Sequence, residues 1–139
     1  MTKKLPELWL QYAKDDLHSA ETLMKASIYN MVCFHSQQAV EKTLKAIIAF
    51  YDKDIMRTHN LIRLYKICED FHHEKLFIEE DWLIFLNDVY IDSRYPADFG
   101  VLPGGQPDQN DAGKALKYAN SIFERLRPII EEDQPHISQ

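Results

Sequence analysis

The sequence predicts an all-α fold: an up-down four-helix bundle with an additional short fifth helix. Apolar residues recur every three to four positions in five separate segments, which is the period of an amphipathic helix. The 139 residues include only 4 Gly and 6 Pro, and three of each fall within residues 96–107. Long stretches are therefore free of helix breakers. No segment alternates apolar and polar residues over enough positions to predict a strand.

The first two helices are predicted over residues 6–26 and 31–51. Pro6 suits the first turn of a helix, where its missing N–H group would have no partner. Asn30 is predicted to be the N-cap of the second helix, which contains no Gly or Pro. Leu44 lies in the middle of this helix and should be fully buried.

The third and fourth helices are shorter and are predicted over residues 60–72 and 79–93. Either Thr58 or Asn60 can cap the third helix, since both side chains accept hydrogen bonds from backbone N–H groups. The fourth helix begins with three acidic residues, which suit the positive end of the helix dipole.

A fifth helix is predicted to begin near Asp108 or Asp111, after a loop over residues 96–107. A loop of about a dozen residues in a compact domain is more often functional than an average loop. Pro128 should kink the fifth helix or end it near Arg127, because a residue before proline is pushed away from helical geometry.

Length and composition indicate one globular domain over residues 1–132, followed by a disordered tail over residues 133–139. The hydrophobic fraction of 45% and the charged fraction of 27% are typical of such a domain. The longest apolar run, Ala46–Tyr51, is too short to span a bilayer. We therefore expect a cytoplasmic protein with no membrane association, in which Cys33 and Cys68 are reduced core thiols. A secreted, disulfide-bonded domain is the alternative.

The formal net charge is −6, and residues 58–139 carry 15 acidic against 8 basic side chains. This balance argues against non-specific nucleic-acid binding, which depends on neutralising phosphates, but it leaves room for a local basic cleft. The apolar stripes hold more residues than one four-helix core needs. We therefore expect a symmetric homodimer.

Polar residues lie beside the apolar face of the second helix, at Gln37, Gln38, Glu41 and Lys42. In one interpretation they lie at the edge of the buried face, and Glu41 forms a weak i, i+4 ion pair with Lys45. In the other, they form a polar seam that faces a cleft or a symmetry-related copy.

A longer pattern joins these residues to others along the chain. The stretch "QQAVEKTLKA" (residues 37–46) is followed by "HNL" (residues 59–61), by Tyr90 and by "RYP" (residues 94–96). Over residues 5–130 this pattern resembles the HEPN domain family (higher eukaryotes and prokaryotes nucleotide-binding). The resemblance implies a helical bundle that is usually a homodimer. It also implies a frequent pairing with a minimal nucleotidyltransferase, in some members as the toxin of a toxin–antitoxin pair.

Many members of that family are metal-independent ribonucleases that use an arginine followed, four to six residues later, by a histidine. Here no histidine follows Arg94 until His136, and His59 comes only two residues after Arg57. The usual nuclease motif is therefore absent, which places the chain nearer the branch that carries the RYP motif. Whether the chain is an enzyme stays open.

The candidate site for nucleotide or phosphate binding consists of Arg94, Tyr95, His59, Asn60 and Arg57. The guanidinium of Arg94 could bind a phosphate bidentately while Tyr95 stacks on a base. His59 and Asn60 begin the third helix, whose free N–H groups could hold the same phosphate. In the alternative interpretation Arg94 caps its own helix, Tyr95 packs under the loop, and His59 and Asn60 only cap the third helix.

No cofactor motif and no metal site is predicted. The chain contains no P-loop, dinucleotide fingerprint, nucleophile elbow or zinc spacing. His72, His73 and Glu74 are adjacent, so their side chains point in different directions. His18 and His35 belong to no motif and are interpreted as ordinary helix residues.

Three functions remain open at this stage. The first is a module that binds a nucleotide or an RNA phosphate and acts with a minimal nucleotidyltransferase. The second is a diverged ribonuclease toxin built on Arg94 and His59. The third is a structural module that docks a partner protein.

Overall fold

The computed structural model describes residues 4–72, 75–94 and 105–131. This part of the chain contains helices and no strand, which confirms the predicted all-α fold. The five helices are α1 (Lys4–Lys25), α2 (Tyr29–Phe50), α3 (Leu61–Phe71), α4 (Glu80–Arg94) and α5 (Gln109–Glu131). Most of the predicted 96–107 loop and the whole predicted tail over residues 133–139 lie outside the described residues.

Helix α2 lies at the centre of the bundle and packs against each of the other four helices. Its apolar residues therefore face the core on almost every side. Leu44 is completely buried, as predicted. The same position means that polar residues on α2 are also drawn inside the protein, where they need partners.

Helix α1 ends in a tight turn that fixes where α2 begins. Ser27 has a φ of 62°, and the N–H group of Ile28 donates to the Leu23 carbonyl at 3.0 Å, as in a Schellman motif. The chain reverses so quickly that α2 already begins at Tyr29, with Ile28 at the N-cap position. The prediction that Asn30 caps α2 is therefore wrong, because the turn places Asn30 inside the helix.

Helix α5 continues through Pro128 to Glu131. Of the two predicted effects of this proline, an end near Arg127 is therefore wrong, and a kink stays a prediction. Proline removes one N–H donor, and here the loss falls in the last turn of the helix. Ile130 is completely buried, and Arg127 bonds Glu131 at 2.8 Å. Both contacts favour the continued helix.

Cys33 and Cys68 are buried free thiols, as predicted. Burial raises the pKa of each thiol to about 12, and nearby carboxylates add to this effect. Among the described helices, none combines the length and the hydropathy that a membrane crossing requires.

Candidate functional site

Three polar residues follow one another on successive turns of α2 and are all buried. The exposed fractions of Gln37, Glu41 and Lys45 are 0%, 4% and 8%. The interpretation that the polar residues of α2 lie only at the edge of the buried face is wrong for Gln37 and Glu41. The Glu41–Lys45 ion pair of that interpretation is present, at 2.8 Å. The three side chains form a polar seam inside the protein, and the alternative, in which the seam faces a cleft or a symmetry-related copy, stays a prediction.

The carboxylate of Glu41 is the centre of this seam. Its Oε2 atom accepts a hydrogen bond from Lys45 Nζ at 2.8 Å. Its Oε1 atom accepts from Gln38 Nε2 at 3.1 Å and lies 3.0 Å from His59 Nδ1. Gln37 Nε2 donates to the backbone carbonyl of His59 at 2.8 Å. The buried charge is thus fully partnered, and His59 is held at two points.

Glu41 also decides which nitrogen of His59 is available to a ligand. A carboxylate paired with a lysine is ionised and only accepts hydrogen bonds, so Nδ1 of His59 carries a proton. Nε2 is then the ring nitrogen left to contact a ligand. The His59 side chain is 60% exposed, so this nitrogen can be reached from solvent.

A cleft opens beside His59, between the start of α3 and the last turns of α4. Its cavity measures about 230 Å³ and is lined by His59, Asn60, Asn87, Tyr90 and Ile91. The ring centroid of Tyr90 lies 5.5 Å from that of His59. On the same ring, the guanidinium carbon of Arg94 lies 5.3 Å from the centroid, and Arg94 Nη1 donates to the Tyr90 hydroxyl at 3.4 Å. Tyr90 therefore contacts both His59 and Arg94, and Arg94 itself is not among the residues that line the cavity.

The sequence analysis expected free N–H groups at the N-terminus of α3, but in the structure the first of these groups already have partners. Asn60 caps the helix, as predicted, and its Oδ1 atom accepts from the N–H groups of Ile62 and Arg63. The N–H group of Leu61 donates to Asn87 Oδ1 at 3.0 Å. Side chains thus already occupy these backbone donors, and a ligand in the cleft would meet side-chain donors instead.

Two candidate residues remain, Arg57 and Tyr95. Arg57 is exposed and is not among the described residues that line the cleft. Tyr95 lies outside the described residues, so its role in stacking stays a prediction.

Sequence reasoning missed three contributors to this site. The signal for Glu41 was its spacing from Gln37 and Lys45, which puts three polar side chains on one row of the helix. Tyr90 belonged to the family pattern but was not assigned to the site. Asn87 carried no signal, because its link to α3 exists only in three dimensions.

The described residues contain no group of three or more His, Cys, Asp or Glu side chains placed to hold a metal ion. Nδ1 of His72 lies 2.5 Å from the Tyr51 hydroxyl. His73 and Glu74, which the sequence analysis considered with it, lie outside the described residues.

Similarity to other proteins covers nearly the whole chain. A family model described as "HEPN domain" matches residues 6–129. A protein of Methanocaldococcus jannaschii named "Putative toxin MJ1304" is 32% identical over an alignment of 139 positions, which covers 93% of this chain and 90% of that protein.

Two solved structures share the fold. The crystal structure of TT1696 from Thermus thermophilus has a TM-score of 0.71 and 25% identity, and the match covers 93% of this chain and 98% of that one. The crystal structure of ST0689, described as an archaeal HEPN homologue, has a TM-score of 0.65 and 23% identity. That match covers 90% of this chain and 97% of ST0689.

Proposed function

We propose that this chain, which belongs to the HEPN domain family, binds a nucleotide or an RNA phosphate in the cleft beside His59. We further propose that it acts as the toxin of a two-component pair whose other member is a minimal nucleotidyltransferase. The toxin role is supported by the name of the relative from Methanocaldococcus jannaschii. The binding role rests on one observation: Tyr90, which lines the cleft together with His59, also contacts the guanidinium of Arg94.

The cleft offers the donors that a phosphate group requires. The guanidinium of Arg94 is planar and can bind two phosphate oxygens in parallel. Nε2 of His59, when protonated, adds a second donor of positive charge. Neither donor depends on the backbone of α3, whose first N–H groups are already bonded. A local basic pair of this kind is compatible with the overall charge of −6.

A metal-independent ribonuclease is the second candidate, and the contact between Glu41 and His59 favours it. A buried carboxylate that holds Nδ1–H of a histidine keeps Nε2 ready to accept a proton. Nε2 could take the proton of a ribose 2′-hydroxyl, whose oxygen then attacks the adjacent phosphorus. The bond to the 5′ oxygen breaks, that oxygen leaves with a proton from water, and Arg94 stabilises the charge on the phosphoryl group.

A homodimer is part of the proposal. Helix α1 exposes Leu5, Leu8 and Tyr12 by 51%, 45% and 55%, and these residues line one small cavity with Trp9. An apolar face of this kind suits contact with a second copy. Light scattering should give twice the mass of the chain, and a monomer at tens of micromolar would count against the dimer.

The test combines binding and cleavage on the purified protein, with total RNA and labelled nucleotides as probes. Arg94→Lys keeps the charge but loses the bidentate geometry, so affinity should fall about tenfold, or ~1.4 kcal/mol. Arg63→Lys is the matched control, because Arg63 is an exposed arginine on α3 outside the cleft. It should change neither affinity nor melting temperature.

The outcomes separate the candidate functions. RNA fragments that disappear with His59→Ala would favour the ribonuclease over the binding module. If Arg94→Lys lowers the melting temperature sharply and leaves affinity unchanged, the arginine is a structural cap and the site is wrong. If the wild-type protein binds no probe, the partner-docking module is the better description.

A further inference from the structure

Phe77, in the connection between α3 and α4, is the most exposed large apolar side chain in the described part of the chain. Its exposed fraction is 70%, whereas those of its neighbours Leu76 and Ile78 are 3% and 7%. Two buried residues thus anchor the segment on both sides and leave the phenylalanine between them in solvent. One exposed apolar residue is common on protein surfaces, so exposure alone carries no conclusion.

The backbone of Phe77 adds a second observation. Its φ of 57° lies in the left-handed region, which glycine and asparagine favour and in which a bulky residue is an outlier. Two other helices hold this conformation: Arg125 Nη1 donates to the Phe77 carbonyl, and the N–H group of Ile78 donates to the Tyr65 hydroxyl at 3.2 Å. Folding alone would be served better by asparagine or glycine. The phenyl ring at this position therefore indicates a role outside the fold.

A cavity of about 240 Å³ opens beside the exposed ring of Phe77. Three aliphatic side chains and three basic ones line it together with the ring, and the basic ones are His72, Lys75 and Arg125. Among the described residues that line the cavity, none carries a carboxylate. The cavity thus combines apolar walls with groups that bind anions.

The cationic side chains of this cavity are available to an acidic group. Lys75 forms no hydrogen bond or ion pair within the residues that the structure describes. Arg125 lies 3.8 Å from the carboxylate of Glu79, beyond hydrogen-bond distance, and the two side chains are 39% and 54% exposed. The cavity therefore keeps positive charge that Glu79 does not neutralise, although residues 58–139 are acidic as a whole.

We propose that Phe77 and this cavity form a docking surface for a partner protein, whose docked segment combines an acidic residue with an apolar or aromatic one. The acidic side chain pairs with Lys75 and Arg125, while its apolar neighbour packs against the Phe77 ring and fills the cavity. Aromatic residues and arginine are the types enriched at the centres of protein–protein interfaces.

This docking surface is separate from the cleft at His59. His59 precedes α3 and His72 follows it, and α3 is 11 residues long, which corresponds to about 16 Å. The inference thus goes beyond the proposed binding of a nucleotide or an RNA phosphate, and each is tested without the other.

The test selects ligands from a phage-displayed library of random peptides, with the full chain as the target. Peptides that bind the wild-type protein should be enriched in Asp and Glu next to Trp, Phe or Leu. The affinity of one such peptide, synthesised and labelled, is then measured by fluorescence polarisation. It should decrease as salt is added, because salt screens charge pairs at an exposed surface.

Phe77→Asn is the decisive variant, because asparagine adopts a positive φ readily. It should weaken peptide binding about tenfold or more, the loss expected when an aromatic anchor of an interface is removed. The melting temperature should not fall, since the left-handed backbone is kept. Lys75→Gln removes one cation that makes no bond within the described residues, and it should weaken binding about two- to fivefold.

Ile28→Asn is the matched control, since it makes the same kind of change at another exposed apolar residue. Ile28 is 42% exposed and precedes α2, whereas Tyr51, which contacts His72 of the cavity, follows the other end of that helix. The 22 residues of α2 separate the two ends by about 33 Å. Ile28→Asn should therefore leave peptide affinity unchanged.

Three results would overturn the proposal. The first is that no peptide is enriched, or that the enriched peptides are not acidic or bind Phe77→Asn as tightly as the wild-type protein. The second is a sharp fall in the melting temperature of Phe77→Asn, which would show that the ring serves the fold. The third is a halved mass of Phe77→Asn in light scattering, which would make this surface a contact between two copies of the chain.

Discussion

The buried pair of Glu41 and Lys45 gives the sharpest prediction of stability. Their side chains are 5% and 10% exposed, and Lys45 Nζ lies 2.8 Å from the carboxylate. Glu41→Gln removes the negative charge and leaves the ammonium group buried without its partner. Breaking a buried pair in this way costs about 3–5 kcal/mol. A single domain is stable by only about 5–15 kcal/mol in total, so the loss should be large.

The assay is urea unfolding of Glu41→Gln, of Lys45→Met and of the double variant Glu41→Gln/Lys45→Met. The methionine keeps the apolar stem of Lys45 and removes its charge. The double variant should lose less stability than the two single variants lose in sum, by about 0.5–3 kcal/mol, because neither charge is then left buried without its partner. A loss below about 1 kcal/mol for Glu41→Gln would refute the reasoning, since it would mean that water reaches this pair.

Three further predictions concern other parts of the fold. Leu44→Ala should cost about 2–5 kcal/mol in urea unfolding, while Ile84→Ala at an exposed position of α4 should stay within about 0.5 kcal/mol. Equal losses would contradict the assigned helix faces. Burial raises the pKa of Asp88 in the folded protein above its value in the unfolded chain. The ionised carboxylate therefore lowers stability at pH values above the folded pKa, and it has no effect below the unfolded pKa, where both states are protonated. Asp88→Asn should therefore raise the melting temperature at neutral pH and leave it unchanged at about pH 3, and the opposite pattern would count against the shift. Cys33 and Cys68, with pKa values of about 12, should not react with a thiol reagent at mildly alkaline pH until urea unfolds the protein.

The sequence determined the helices because their signals are local. The 3.6-residue period, the scarcity of Gly and Pro and the cap at Asn60 all act within a few residues of one another. The burial of Leu44 follows from the same period. Ser27 and Pro128 show where this reasoning fails, because the tight turn at one and the buried Ile130 beyond the other depend on packing.

Only the tertiary structure decided how the site is built. His59 lies 18 residues from Glu41. His35 lies 19 residues from Asp16, whose Oδ1 atom is 2.8 Å from its Nδ1, so the interpretation of His35 as an ordinary helix residue is wrong. No spacing rule joins residues so far apart, because their contact depends on which helices are neighbours and how each is rotated. Because α2 lies at the centre of the bundle, Glu41 is buried. A buried charge needs partners, and here they are Lys45 and His59. The sequence thus determined which polar groups lie on the helix, and packing decided which of them had to find partners.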